Sequence, residues 1–275
     1  MTWQELAEGV YARRYEELDL TVGLVVGTEK CLVIDTRGDV DQGAELAAAV
    51  REITPLPWIV AYTHAHFDHA FGTTPFLPCE VWAAEGCRAE LDTFGDNARR
   101  KRAESYRAEG KPEIADALDR TSIERPDRVV ETEVTLDLGG RSAVLINLGH
   151  AHTDHDLIVH VPDAGVVFAG DTVENGPAGW TADSFGVDND LTKWPAALDR
   201  ILALCPKIVV PGHGEPVGPA FVAEHRDGMA SLSVLDAAVT AGELTVVSAL
   251  ARSPYPEDVT EAALSRNSAR PSESA

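Results

Sequence analysis

Residues 63–72 read THAHFDHAFG and follow directly on the apolar run PWIVAY of residues 57–62. A β-rich apolar run that stops at a polar loop has the pattern of a strand delivering side chains to the edge of a sheet. His64 and His66 stand two apart, so in an extended segment they project to the same side. Asp68 and His69 follow at the first turn of an expected helix. Four metal-competent side chains within six residues exceed what chance placement of the chain's nine histidines gives. Packing them together without a cation is costly, through repulsion and desolvation. Imidazole and carboxylate together suit zinc, iron or manganese, and a nitrogen-rich set favours zinc.

Three further runs end in the same way. LINLGHAHTDHD (145–156) offers His152, with His150 and His155 as neighbours; VVFAGDTVEN (166–175) offers Asp171; IVVPGHGEP (208–216) offers His213. Strand ends that converge on one sheet edge are where α/β proteins build sites. The flanking sequence supplies the frame. LTVGLVVG (20–27) and CLVIDT (31–36) predict a hairpin, residues 40–53 a helix, and EVWAA (80–84) a strand. Strands return from residue 128 in VVETEVTLDL, RSAVLINL, DLIVHV and GVVFAG, followed by helices over 190–204 and about 219–242, with the strand KIVVPG between them. Each half thus runs strand, strand, histidine-bearing loop, helix, which suits two packed sheets with helices outside. No glycine-rich phosphate loop of a doubly wound sheet is present, since GHGEPVG (212–218) lacks the lysine and the spacing.

Residues 86–125 differ: charged, nearly strandless, and rich in Arg, Glu and Ala, they predict surface helices inserted between sheet elements. One domain is expected over residues 1–255 with this insertion, then a C-terminal tail over 256–275 whose SRNSARPSESA end is frayed. Composition narrows the function. With 23 Lys and Arg against 45 Asp and Glu, the formal charge of −22 repels phosphate backbones and anionic lipid. The expected partner is therefore a small molecule, with no nucleic acid and no membrane, and a homodimer is compatible with the pattern. No run approaches the roughly 18–20 apolar residues of a membrane helix. The acidic start has no export-signal pattern, and the four scattered cysteines read as free thiols, so a cytoplasmic location is expected.

The set HxHxDH, GxxHT, FAGD and PGHG, in this order over roughly residues 10–230, resembles the metallo-β-lactamase superfamily of metal-dependent hydrolases. The resemblance implies an α/β fold, a four-layer αββα sandwich with its site along one edge of the two sheets. It makes His64, His66 and His152 ligands of a first metal and Asp68, His69 and His213 ligands of a second, with Asp171 bridging both. His152 is preferred to His150 because Thr153 follows it, as in the family's HT pair. Asp35 in VIDT matches an early aspartate that supports the histidine loop from behind.

Two zinc ions so held would share and ionise a water for attack on a thioester, ester or lactone, with Asp68 orienting it. The resemblance further implies that zinc β-lactamases carry cysteine or another residue where this chain has Asp171, whereas thioesterase- and lactonase-like relatives carry aspartate. The wording HAFG, AHTDHD and FAGD is also similar to a branch of aromatic polyketide cyclases and thioesterases. The competing readings are an iron-dependent persulfide dioxygenase-like oxidoreductase, a β-lactam hydrolase, and a binding module that kept the fold. For substrate recognition, Arg99, Arg100 and Lys101 form a basic run in the insertion that would meet an anionic group, against the plainer reading of a solvated helix face. Trp180 and Phe185, with Trp194, would wall an apolar pocket.

Overall fold

Alternation along the strands divides the apolar side chains among separate faces. In β4 (Cys31–Ile34), Leu32 and Ile34 enter a central core, whereas Cys31 and Val33 enter an outer one. The computed structural model describes residues 2–267 apart from 177, 178 and 187. A seven-stranded sheet has the order β1 (Gln4–Ala7), β2 (Val10–Arg14), β3 (Thr21–Val26), β4, β5 (Trp58–Ala61), β6 (Val81–Ala84) and β7 (Arg128–Val130). It is antiparallel from β1 to β4 and parallel from β4 to β7. A five-stranded sheet has the order β12 (Ile208–Gly214), β11 (Val166–Asn175), β10 (Asp156–Val161), β9 (Ser142–Gly149) and β8 (Glu133–Asp137), with only β11 and β12 parallel.

The sheets face each other across a core that includes Leu32, Ile34, Leu157, Val159 and Phe168. Helices cover the outer faces. α1 (Val40–Ile53), α3 (Glu85–Ala108) and α4 (Pro112–Arg120) contribute to the core on the first sheet. α5 (Trp194–Ala203), α6 (Pro219–Thr240) and α8 (Glu257–Asn267) contribute to that on the second, with the short α7 (Val246–Leu250) beside them. This is the four-layer αββα sandwich. α1 begins where the Asp39 carboxylate accepts from the Asp41 and Gln42 amides, both at 2.9 Å, satisfying two of the four free donors of its first turn.

Three expectations change. The N-terminal hairpin β1–β2 escaped notice because β1 is an edge strand with no buried residue and hence no apolar alternation. The run VVETEVTLDL is two strands, not one: the chain leaves the first sheet after Val130 and enters the second at Glu133. The domain also continues past residue 255. In α8, Val259, Ala263 and Leu264 are buried at one-face spacing and close the helical layer; of the expected tail, residues 268–275 lie outside the described residues.

Candidate metal centre

Five loops and strands deliver the polar side chains to one edge. β5 ends at Ala61, and the turn that follows sets His64 and His66 ahead of the one-turn helix α2 (Phe67–Ala70), which carries Asp68 and His69. His152 comes from the turn after β9, Asp171 from β11 and His213 from β12. They meet in two groups, His64, His66, His152 and Asp171 in one and Asp68, His69 and His213 in the other, with potential ligand atoms within 4.8 Å of one another in each.

The spacing discriminates between a hydrogen-bond network and a metal cage. His152 Nε2 lies 3.1 Å from His66 Nδ1, and Asp171 Oδ2 lies 3.6 Å from His64 Nε2 and 3.5 Å from His152 Nε2. In the second group His213 Nε2 stands 3.4 Å from Asp68 Oδ2 and 3.5 Å from His69 Nε2. Asp171 reaches this group too, with Oδ1 3.1 Å from His69 Nε2 and Oδ2 3.2 Å from His213 Nε2. Most of these separations are too long for good hydrogen bonds. They bracket the edge, about 3.3 Å, of a tetrahedron whose ligands stand about 2.0–2.1 Å from its centre.

The outward hydrogen bonds agree. His69 Nδ1 donates to Asp35 at 2.7 Å, His152 Nδ1 to the Ser184 carbonyl at 3.1 Å, and His213 Nδ1 to the Leu18 carbonyl at 2.8 Å. Thr63 gives its hydroxyl proton to Asp35, so it accepts from His64 Nδ1 at 3.1 Å. In each ring the Nδ1 proton points away and Nε2 faces inward, where it can offer its lone pair to a cation once no second proton is bound. His64 Nε2 and Asp171 Oδ1 are buried without a hydrogen-bond partner among the described residues. Convergent lone pairs and orphaned acceptors fit divalent cations.

The electrostatics make the same demand. Burial, with His69 beside it, pulls the His64 imidazole well down, and burial pulls His152 down to about 4, so both are neutral ligands at neutral pH. Burial would lower His213 as well, but Asp171 and Asp68 outweigh it and push His213 up to about 10. Burial would lower His69, which is more deeply buried, but it is likewise driven up by Asp171 and Asp35. The carboxylates thus hold protons where a metal would otherwise supply the positive charge.

Backbone glycines make room. A Cβ on Gly212 would stand 1.9 Å from Asp171 Oδ1, and one on Gly170, at φ +54°, 2.7 Å from Thr63 Cβ. Asp35 itself adopts a left-handed φ of 64°. That conformation costs roughly 1–2 kcal/mol in a non-glycine residue. It is held by bonds from the Thr63 amide and hydroxyl, both 2.8 Å, and from His69.

Other expected residues fall elsewhere. His150 is turned away, 2.5 Å from the Asp188 carbonyl. Thr153 does not face the cluster: its amide and hydroxyl bond Asp156, at 2.9 and 2.8 Å, and fix the turn that carries His152. A cavity of about 650 Å³ opens above the cluster, with α3 as one wall. Lys101 lines it, but Arg99 and Arg100 do not. The Arg99 guanidinium instead donates to the Leu118 and Asp119 carbonyls at the end of α4, where free acceptors are available. Trp180 and Phe185 also miss the cavity: both are fully buried and pack with Trp194 behind His152.

Glu174 is a second carboxyl in the buried strand VVFAGDTVEN, three residues after Asp171, and that placement is a signal the sequence reading passed over. It accepts from Ser184 Oγ at 2.7 Å, which secures the turn whose carbonyl holds His152. Burial, and then Asp171, push its carboxyl up to about 8. His155 also acts from the wall, accepting the Ala65 amide at 3.2 Å and thereby tying the histidine loop to β10.

A profile of the metallo-beta-lactamase superfamily matches residues 17–213, more than half of the chain and all of the cluster. A type 2 metallo-beta-lactamase from Bacteroides fragilis is 26% identical over 158 residues, 52% of this chain and 61% of that protein's length. Among solved structures, the sec-alkylsulfatase Pisa1 from Pseudomonas sp. superposes at a TM-score of 0.76 with 16% identity. It matches 97% of this chain, which spans half of that protein's length. A metallo-beta-lactamase from Pontibacter korlensis superposes at 0.62 with 18% identity, matching 82% of this chain and 97% of its own. The chain belongs to the metallo-β-lactamase superfamily.

Proposed function

We propose that this hydrolase holds two zinc ions and cleaves a small thioester, ester or lactone. The observation that carries the reading is Asp171, whose Oδ1 faces His69 while its Oδ2 faces His64, His152 and His213. One carboxylate set between two ligand groups is the arrangement a cation pair requires. When bound, divalent ions lower the pKa of water toward neutrality and polarise an acyl oxygen. Asp68, 8% exposed at the cavity floor, would orient the attacking water and accept its proton. Water oxygen then joins the acyl carbon, the bond to the leaving thiolate or alkoxide breaks, and the proton passes to that group. The outward Nδ1 bonds keep the imidazoles fixed while charge moves, so little reorganisation is needed.

The test is a hydrolysis panel on zinc-loaded protein: acyl-CoA, acyl-glutathione, lactone, aryl ester, alkyl sulfate and cephalosporin, with a glutathione persulfide on iron-loaded protein. Sulfate esters are included because the alkylsulfatase matches almost the whole chain. The expected result is acyl transfer to water that Asp68→Ala abolishes with the fold intact. Turnover confined to cephalosporin, sulfate ester or persulfide, or acyl hydrolysis that persists in Asp68→Ala, would overturn it.

A further inference from the structure

The wall of the cavity differs in kind from its floor. α3 presents Phe94, Ala98, Lys101 and Arg102 to it, along one helical face. Phe94 is 52% exposed, a large aromatic surface left half open among the described residues. Seven residues further on, about 10 Å along the helix axis, Lys101 also faces the cavity. Arg102 is already engaged, lying over the Phe67 and Tyr106 rings at 4.7 and 4.2 Å and 3.6 Å from Glu109. Lys101 makes no ion pair or hydrogen bond among the described residues. Asp183 and Asp188 line the cavity away from α3, and Glu90 lines it on α3 about three helical turns before Lys101, whereas Asp19 is paired with Arg14. An anion entering this cavity is repelled from those sides and has one uncommitted side-chain ammonium to meet.

Resting on the hydrolase reading above, we propose that α3 reads the part of the substrate remote from the scissile bond: an apolar chain against Phe94 and Ala98, and a terminal carboxylate on Lys101. The favoured substrates are then esters or thioesters of acyl chains that carry an anionic end, and Lys101 sets specificity without taking part in the chemistry. A neutral ester of equal length loses only the contact with Lys101, so the discrimination falls on KM and not on kcat.

Equilibrium binding tests this separately from turnover. Zinc-loaded protein is titrated calorimetrically with straight-chain dicarboxylates of four to ten carbons and with the monocarboxylates of equal length. At one length or more, the dicarboxylate is expected to bind at least tenfold tighter than its monocarboxylate. Lys101→Glu and Lys101→Met should both erase that difference while leaving monocarboxylate affinity and zinc content unchanged. Phe94→Ala should weaken both ligand series together. The proposal fails if no length discriminates in the wild type, or if the Lys101 variants lose both series equally. If the binding difference is present but no ester is hydrolysed, the hydrolase reading fails and the assignment of Lys101 stands.

Discussion

The floor of the cavity and its α3 wall are built on opposite principles. On the floor, His64, His69, His152 and Asp171 are almost wholly buried, and a neighbour that is itself anchored fixes each imidazole's outward nitrogen. On the wall, Phe94 and Lys101 stand exposed, with room to change rotamer. Chemistry that depends on charge placement needs the first arrangement, because a misplaced ligand forfeits metal affinity. Recognition of a chain of atoms tolerates the second. The difference predicts that floor substitutions act on metal binding and rate, and wall substitutions on substrate choice.

The largest effect should come from Asp171→Ala, which removes a carboxylate facing both ligand groups. Zinc content should fall below two per chain and kcat by roughly a thousandfold, the scale of several kcal/mol of lost charge stabilisation. Metal analysis and single-substrate kinetics check it. Next comes Asp35→Asn, which leaves the metal-facing atoms in place but weakens the bonds to Thr63 and His69. Metal affinity should drop by roughly 10- to 100-fold, as loss of supporting carboxylates generally does, and a chelator competition series measures it. An effect of Asp35→Asn as small as that of a wall variant would break the distinction.

A pH series sharpens the floor's side of the comparison. In metal-free protein the His213 imidazole, raised from an ordinary 6.5 to about 10, stays protonated at neutral pH. Its contribution to stability is complete below about pH 6.5 and is lost as pH rises through about 10. Metal must displace that proton, so zinc affinity should rise at least tenfold per unit between pH 7 and 9, with proton release detectable in weak buffer. Flat affinity across that range would contradict the account. The smallest effect belongs to Arg99→Ala on the outer side of α3. Loss of its bonds to the α4 carbonyls should cost about 0.5–1.5 kcal/mol in thermal unfolding and leave every KM unchanged.

The same contrast explains what could be read from the sequence. Floor residues sit in short local patterns at strand ends, so His64, His66, Asp68, His69, His152, Asp171 and His213 are legible in the sequence as side chains that the fold brings together. Pattern alone did not separate His152 from His150. That separation follows from which ring the Ser184 carbonyl meets and which the Asp188 carbonyl meets, contacts from a loop more than thirty residues away. The wall was read poorly because direction on a helix depends on what packs beneath it. Arg99, Arg100 and Lys101 are adjacent in sequence, yet successive residues turn by about 100°, and only Lys101 faces the cavity. Trp180 and Phe185 were misread for a related reason. Aromatics near a site look alike in sequence whether they line a cavity or fill the core behind it, and here burial against Trp194 decided the matter.

In the proposed centre, two cations would be held on either side of Asp171. Zinc-loaded protein, freed of loosely bound metal and analysed by plasma mass spectrometry against amino-acid analysis, tests this directly. The account predicts two zinc ions per wild-type chain and no more than one in Asp171→Ala. A wild-type chain that holds one ion or none, or an Asp171→Ala chain that still holds two, would contradict it.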